Sequence, residues 1–196
     1  MERPAVSQLS LKPGAKMPNS HLPVLIYKNA LPPSDRLERE LRHCFEKHGW
    51  GGAWTNGVYL YDHFHCNAHE VLGVAAGWIE LQLGGDEGEM ERLTAGEIVV
   101  LPAGTGHRRL RASGGYSIVG AYPRGQETPN NYRSVTNCAN YRNRLNAVPM
   151  PDQDPVLGKA GPLLRTWRDS ALEQLPPSPA TLALTASPLA NKREQS

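Results

Sequence analysis

The sequence predicts a mainly β fold: a small antiparallel sandwich or barrel, with a strand and a helix packed outside it. Three observations carry this. Between Gly57 and Tyr122, short apolar or alternating runs recur, with turn signals between them and no helical period. The chain holds 17 prolines and 19 glycines, and only 39% of its residues are hydrophobic, which suits a turn-rich body. Its 196 residues fit one domain with attached arms. On this reading residues 1–20 are a flexible arm, 21–168 form the domain around a barrel core at about 55–123, and 169–196 are a disordered tail.

The elements follow in order. In His21–Leu31, the run Val24, Leu25, Ile26 and Tyr27 favours extended backbone, so this is the first strand. Ser34 is placed to cap a helix, and Leu37, Leu41, Cys44 and Phe45 form one apolar stripe along it. Gly49 is a suitable terminator. Trp50 and Trp54 then pack the helix onto the barrel. Strands are expected over Val58–Phe64, Val71–Leu83, Met90–Leu93, Ile98–Leu101 and Tyr116–Tyr122. Asn130–Asn146 has room for a short helix, and 148–167 reads as an extended segment wrapping the barrel. No internal repeat is visible, which excludes a duplicated two-barrel chain.

Composition excludes several function classes. A net charge of +2 gives no nucleic-acid footprint and no strong attraction to a membrane surface. The three cysteines, Cys44, Cys66 and Cys138, form no CxxC pair, so neither a zinc ribbon nor a disulfide framework is supported. The N-terminal region lacks a run of signal-peptide or membrane-spanning length, so a cytoplasmic location is the default expectation.

The chemistry concentrates in Gly57–Gly77, GVYLYDHFHCNAHEVLGVAAG, which holds His63, His65, His69 and Glu70. On a strand, Tyr59, Tyr61, His63 and His65 share one face, and Val58, Leu60 and Phe64 share the other. Two imidazoles side by side suit metal bonds of about 2.0–2.1 Å. A turn at Cys66–Ala68 would return Glu70 to the same centre. His107, after the tight loop 102–106, is the candidate fourth ligand. His69 would face away from the centre, and Cys66 reads as a turn residue beside the pocket.

This constellation resembles the cupin superfamily. Gly57, His63, His65, Glu70 and Gly77 fit the first cupin motif, G-x5-H-x-H-x3,4-E-x6-G. Gly96, Pro102, Gly104 and His107 fit the second, G-x5-P-x-G-x2-H-x3-N, with Arg111 standing where the family often has Asn. HEVLGV, PAGTGHRRL and DPVLGKAGPLLRTW look like the small bacterial YjlB-like cupins, a group with no assigned activity, and extend the resemblance over roughly residues 20–168. The resemblance implies a double-stranded β-helix, a jelly-roll barrel. It also implies a divalent transition metal (Fe, Mn, Ni or Zn) held by His63, His65, Glu70 and His107.

Tyr59 and Tyr61 are candidate hydrogen-bond donors to a substrate. One inward arginine among Arg108, Arg109 and Arg111 would clamp an anion, and Arg111 is the candidate. The expected function is a metal-dependent enzyme acting on a small molecule, by dioxygenation, isomerisation or decarboxylation. The alternative is a metal-dependent small-molecule sensor or carrier that does no chemistry. A homodimer through residues 20–31 is a further expectation, because cupins often pair through such arms.

Overall fold

The computed structural model describes residues 3–173. Ala5–Leu9 (β1) pairs antiparallel with Val24–Lys28 (β2), so the segment expected as a loose arm contains a strand. Leu37–Lys47 (α1) begins two residues beyond a helix capped by Ser34. Instead the Ser34 hydroxyl accepts the Arg36 N–H in the turn before it. The helix ends at a left-handed Gly49, φ +80°. Trp50–Asn56 (β3) is a strand the sequence reading missed, because its glycines and tryptophans do not alternate cleanly.

Glu70–Ala76 (β4) and Trp78–Leu83 (β5) divide what reads as one apolar run. Gly77 divides them: its φ of +66° is strained for any side chain, and a Cβ there would strike the Ser113 hydroxyl. The break transfers the chain from one sheet to the other. Glu89–Thr94 (β6), Ile98–Leu101 (β7), His107–Ala112 (β8) and Ser117–Pro123 (β9) complete the set. The sheets run β1-β2-β7-β4-β9-β3 and β6-β5-β8, all pairs antiparallel. This is the double-stranded β-helix.

Alternation along the strands divides the core in two. Val24, Ile26, Leu72, Val99, Leu101 and Ile118 of the larger sheet meet Ile79, Leu81, Leu83 and Leu93 of the smaller one inside the barrel. The opposite side of the larger sheet, with Leu25, Tyr27, Val71, Val100 and Val119, packs under Leu37, Leu41 and Phe45 of α1. Leu163–Glu173 (α3) covers the rest with Leu163 and Trp167. The sequence reading expected extended chain and then disorder here. Leu163 and Trp167 lie four apart, after Pro162, which suits a helix start. The remainder of the expected tail, 174–196, lies outside the described residues.

The wrap is tied down by Asp154, which is fully buried. Its Oδ1 accepts the N–H groups of Val156 and Leu157, and its Oδ2 accepts the Tyr27 hydroxyl at 2.6 Å and the Leu163 N–H at 3.2 Å. One carboxylate thus satisfies a turn, a helix start and a strand tyrosine. The stretch expected to hold a short helix has Cys138–Tyr141 as a 3-10 turn followed by Arg142–Asn146 (α2). No helix among the described residues is long and apolar enough to cross a membrane.

Candidate metal centre

The predicted strand Val58–Phe64 is not one. β3 stops at Asn56, whose side-chain oxygen accepts the Gly57 N–H at 2.8 Å, a local bond that competes with the ladder. Leu60, expected to pack, is 65% exposed. The loop is then stitched back. His63 and His107 exchange both backbone hydrogen bonds, at 3.1 and 2.9 Å, and Phe64 does the same with Tyr132. The Gly104 N–H donates to the His65 carbonyl at 2.7 Å. Beside the bridge, Arg108 pairs with Asp62 at 2.6 Å. Glu70 opens β4 opposite Leu101, and His107 opens β8 opposite Leu83. The side-chain order read from alternation survives in part: Tyr59 stacks on Tyr61 at 4.8 Å, and His63 stands edge-on to His65 at 5.6 Å, but Val58, expected to share a face with Leu60 and Phe64, joins the barrel-interior cluster instead.

The ligand atoms of His63, His65 and His107 lie within 4.8 Å of one another, and all three residues are buried. Each imidazole uses Nδ1 on a backbone carbonyl: His63 on Tyr61 at 3.3 Å, His65 on Asn130 at 2.7 Å, His107 on Thr105 at 3.0 Å. These contacts set the tautomer, with the proton on Nδ1 and a bare lone pair on Nε2. Glu70 Oε2 lies 3.5 Å from His65 Nε2 and 3.3 Å from His107 Nε2. This oxygen is buried and has no hydrogen-bond partner, while the Tyr122 hydroxyl meets the same carboxylate. A carboxylate oxygen facing imidazole lone pairs is an arrangement of acceptors that needs a positive charge among them. Donors that share one ion at about 2.1 Å stand roughly 3–4 Å apart, and both Glu70 distances fall there. The residues fit a divalent metal ion held by His63, His65, Glu70 and His107.

No family model matches the chain. It is 34% identical over 157 residues to the uncharacterized protein YjlB of Bacillus subtilis (strain 168), covering 78% of this chain and 90% of that one. The chain belongs to the YjlB-like cupins. Partial likenesses to solved structures include acireductone dioxygenase from Bacillus anthracis with a cadmium ion in its active centre. It is 15% identical, covers 55% of this chain and 82% of that one, and has a TM-score of 0.38. The WlaRB TDP-quinovose 3,4-ketoisomerase from Campylobacter jejuni is 13% identical, over 46% of this chain and 73% of that one, with a TM-score of 0.37. Likenesses this partial say nothing of the substrate of this YjlB-like cupin.

Electrostatics in the centre follow from burial and crowding. Burial, with His107 beside it, holds His63 down at about 3, so its imidazole stays neutral. Burial also opposes a charge on His65, but Glu70 outweighs it and raises that histidine. Burial resists ionisation of Glu70 too, yet His65 and His107 prevail and keep it below the usual carboxylate range.

The site of this YjlB-like protein opens into a cavity of about 370 Å³. Tyr59 lines it, half exposed. Tyr61 does not; its ring lies under the Arg133 guanidinium at 3.8 Å. Arg111 also stays away. Its side chain is 71% exposed and its Nε donates to Glu80 at 2.6 Å. The cause is a bulge. Arg109 pairs with Leu81 and Arg111 with Glu80, which leaves Leu110 extra and turns Arg111 off the His107 face. Arg109 keeps that face but sits over the Tyr116 ring at 5.0 Å rather than in the cavity.

His69 is buried outside the metal set. Its Nδ1 accepts the Ala103 N–H at 2.9 Å and its ring packs on Trp167. Cys66 is core, beside Met17, Phe64 and Val135. Among the cavity residues that escaped sequence reasoning are Trp54, expected only to pack, and Tyr122. Trp54 Nε1 donates to the Tyr122 hydroxyl at 2.9 Å. Alternation in β9 from Ile118, which points into the barrel, would have flagged Tyr122.

Proposed function

We propose that the protein is a metal-dependent enzyme acting on a small molecule. One observation carries the reading: three imidazole nitrogens and a carboxylate oxygen, all acceptors, converge at the wall of an open cavity. The ligands are His63, His65, Glu70 and His107. Four protein ligands leave about two positions of a six-coordinate ion for water and substrate. A bound divalent ion would supply Lewis-acid or oxygen-binding chemistry there, of the kind used in dioxygenation, isomerisation or decarboxylation.

The chain's own residues have separate tasks. The carbonyls of Tyr61, Asn130 and Thr105 fix the imidazole tautomers. Burial, reinforced by Glu70, keeps the Tyr122 phenol protonated, so it is a donor at the cavity wall. Tyr59 at the mouth contacts whatever enters.

The test is elemental analysis of the purified full-length chain, expressed without added metal. About one equivalent of a transition metal is expected, and His63→Ala should remove most of it. Metal-free protein whose content His63→Ala leaves unchanged, even after reloading, overturns the proposal.

A further inference from the structure

We infer that the cavity takes a compact, unphosphorylated molecule that chelates through two neighbouring oxygens, and that Tyr122, held by Trp54, donates a hydrogen bond to one of them. The inference rests on the metal-dependent reading above and narrows it to a substrate class.

Three features lead there. The first is charge. Among the described residues lining the cavity, Glu70 is the one charged side chain. A divalent ion and one carboxylate leave a single positive charge, which a singly ionised oxygen pair neutralises. A phosphate ester brings a second negative charge that no described cavity-lining residue offsets. The arginines of β8 are committed elsewhere: Arg108 to Asp62 and Asp86, Arg109 over Tyr116, and Arg111 to Glu80.

The second feature is the wall. Trp54, Tyr59, Tyr122, Leu72, Val58 and Pro129 give it an aromatic and aliphatic surface, and about 370 Å³ is at the small end of ligand cavities. The body of the molecule is therefore small and apolar on at least one side.

The third is the direction of one hydrogen bond. Indole N–H can only donate, so the Trp54 Nε1 contact makes the Tyr122 oxygen the acceptor. That leaves the phenolic hydrogen to be donated elsewhere: the Glu70 carboxylate takes it in the free protein, and a chelating oxygen bound beside Glu70 would compete for it. The Tyr122 ring stands edge-on to the ligand His65, at 6.0 Å between ring centres. The hydroxyl is thus oriented before anything binds, between Trp54 and the Glu70 carboxylate on the cavity wall.

The experiment uses the full chain loaded with zinc, dialysed and assayed for metal. It is titrated with 4-nitrocatechol, whose absorption shifts on chelation. Phenyl phosphate, with a similar ring but a doubly charged head, is the competitor. The expected result is saturable binding at one probe per metal, with no competition from an equal concentration of phenyl phosphate. Tyr122→Phe should weaken the probe about tenfold, the scale of one hydrogen bond. Trp54→Phe, which keeps an aromatic wall but removes the orienting donor, should weaken it several-fold. Both variants should keep their zinc and their melting temperature within a few degrees. Loaded protein that does not shift the probe, that binds phenyl phosphate as well, or that binds the probe equally in both variants overturns this inference alone. Protein that retains no zinc overturns the metal-dependent reading and this one with it.

Discussion

The two halves of the proposed metal centre are built in opposite ways. Glu70 and His107 stand at the first residues of β4 and β8, in register with Leu101 and Leu83 on the neighbouring strands, although the backbone of His107 spends its own hydrogen bonds on His63. His63 and His65 stand on a loop without a strand of its own, held by separate stitches: the His63–His107 and Phe64–Tyr132 bridges, the Gly104–His65 bond and the Asp62–Arg108 pair. The strand-borne half inherits its geometry from the fold. The loop-borne half depends on individual contacts, so it should be the half that single substitutions can loosen.

Phe64→Ala should have the largest effect. Phe64 is fully buried against Tyr132 and Tyr141, and it anchors the loop between the two histidines. Truncation should cost about 3–5 kcal/mol in denaturant unfolding and lower metal affinity in whatever folds. If Phe64→Ala retains wild-type metal affinity, the loop does not rely on this anchor and the contrast between the halves is wrong.

Glu70→Gln tests the strand-borne half. Removing the proposed anionic ligand should reduce metal affinity by about 100-fold or more, since supporting residues alone are worth about 10–100-fold. Metal-free protein should behave differently. There the amide can donate to the imidazole nitrogens that Glu70 Oε2 now faces without a hydrogen-bond partner. Its melting temperature should stay level or rise, while the gain on adding metal shrinks. The pH dependence has a definite sign. His63, held at about 3, binds no proton at neutral pH and does not compete. His65 is raised by Glu70 against its burial, so a proton there must leave before metal binds. Affinity should fall as pH drops through the His65 titration. Glu70→Gln removes what raises His65, so the fall should move to lower pH. Competition titrations at several pH values would detect a shift in the wrong direction.

The same contrast explains what the sequence made legible. The four residues that converge at the candidate site could be picked out in the sequence because residue type and spacing are local facts. That Tyr59, His63 and His65 share one wall was also readable, although the strand was not and Tyr61 turns away to Arg133. What stayed hidden depends on partners distant in the chain. The bulge at Leu110, which turns Arg111 outward, exists only in the pairing of β8 with β5. The Trp54–Tyr122 contact joins residues 68 apart, across the β3–β9 pair. Asp154 looks like an ordinary loop aspartate until Tyr27 and the start of α3 close around it. The α3 helix was missed through its composition, because Arg165, Arg168 and Asp169 dilute a stripe that begins with Leu163 and Trp167.

Gly104→Ala is the next smaller perturbation, and it acts where the halves touch. Gly104 has φ +91°, its N–H holds the His65 carbonyl, and a Cβ there would come within 2.5 Å of the Leu145 side chain. A left-handed backbone with a side chain costs about 1–3 kcal/mol, and Leu145, a flexible neighbour, must also move. Both stability and metal affinity should fall together, because one turn presents His107 and pins His65. A loss of stability with unchanged affinity would mean that the Gly104 bond is not what seats His65.

Asp62→Asn should have the smallest effect and is the most selective. The substitution keeps the shape of the side chain and weakens the ion pair with Arg108, which joins the residues next to His63 and His107 in the chain. Arg108 also reaches Asp86 at 3.1 Å and both partners retain some exposure, so solvent screens part of the loss. About 1 kcal/mol of stability is at stake. The effect on metal should be several-fold, and it should come from faster release, because a loosened loop lets His63 swing away while Glu70 and His107 keep their strand positions. Release into a chelator, timed by stopped flow, separates this from a general loss of folding. A Leu101→Val change on the strand side, opposite Glu70, should lower stability by a comparable amount without hastening release. If both variants release metal equally fast, the two halves of the centre are mechanically equivalent, and the loop is as well fixed as the strands.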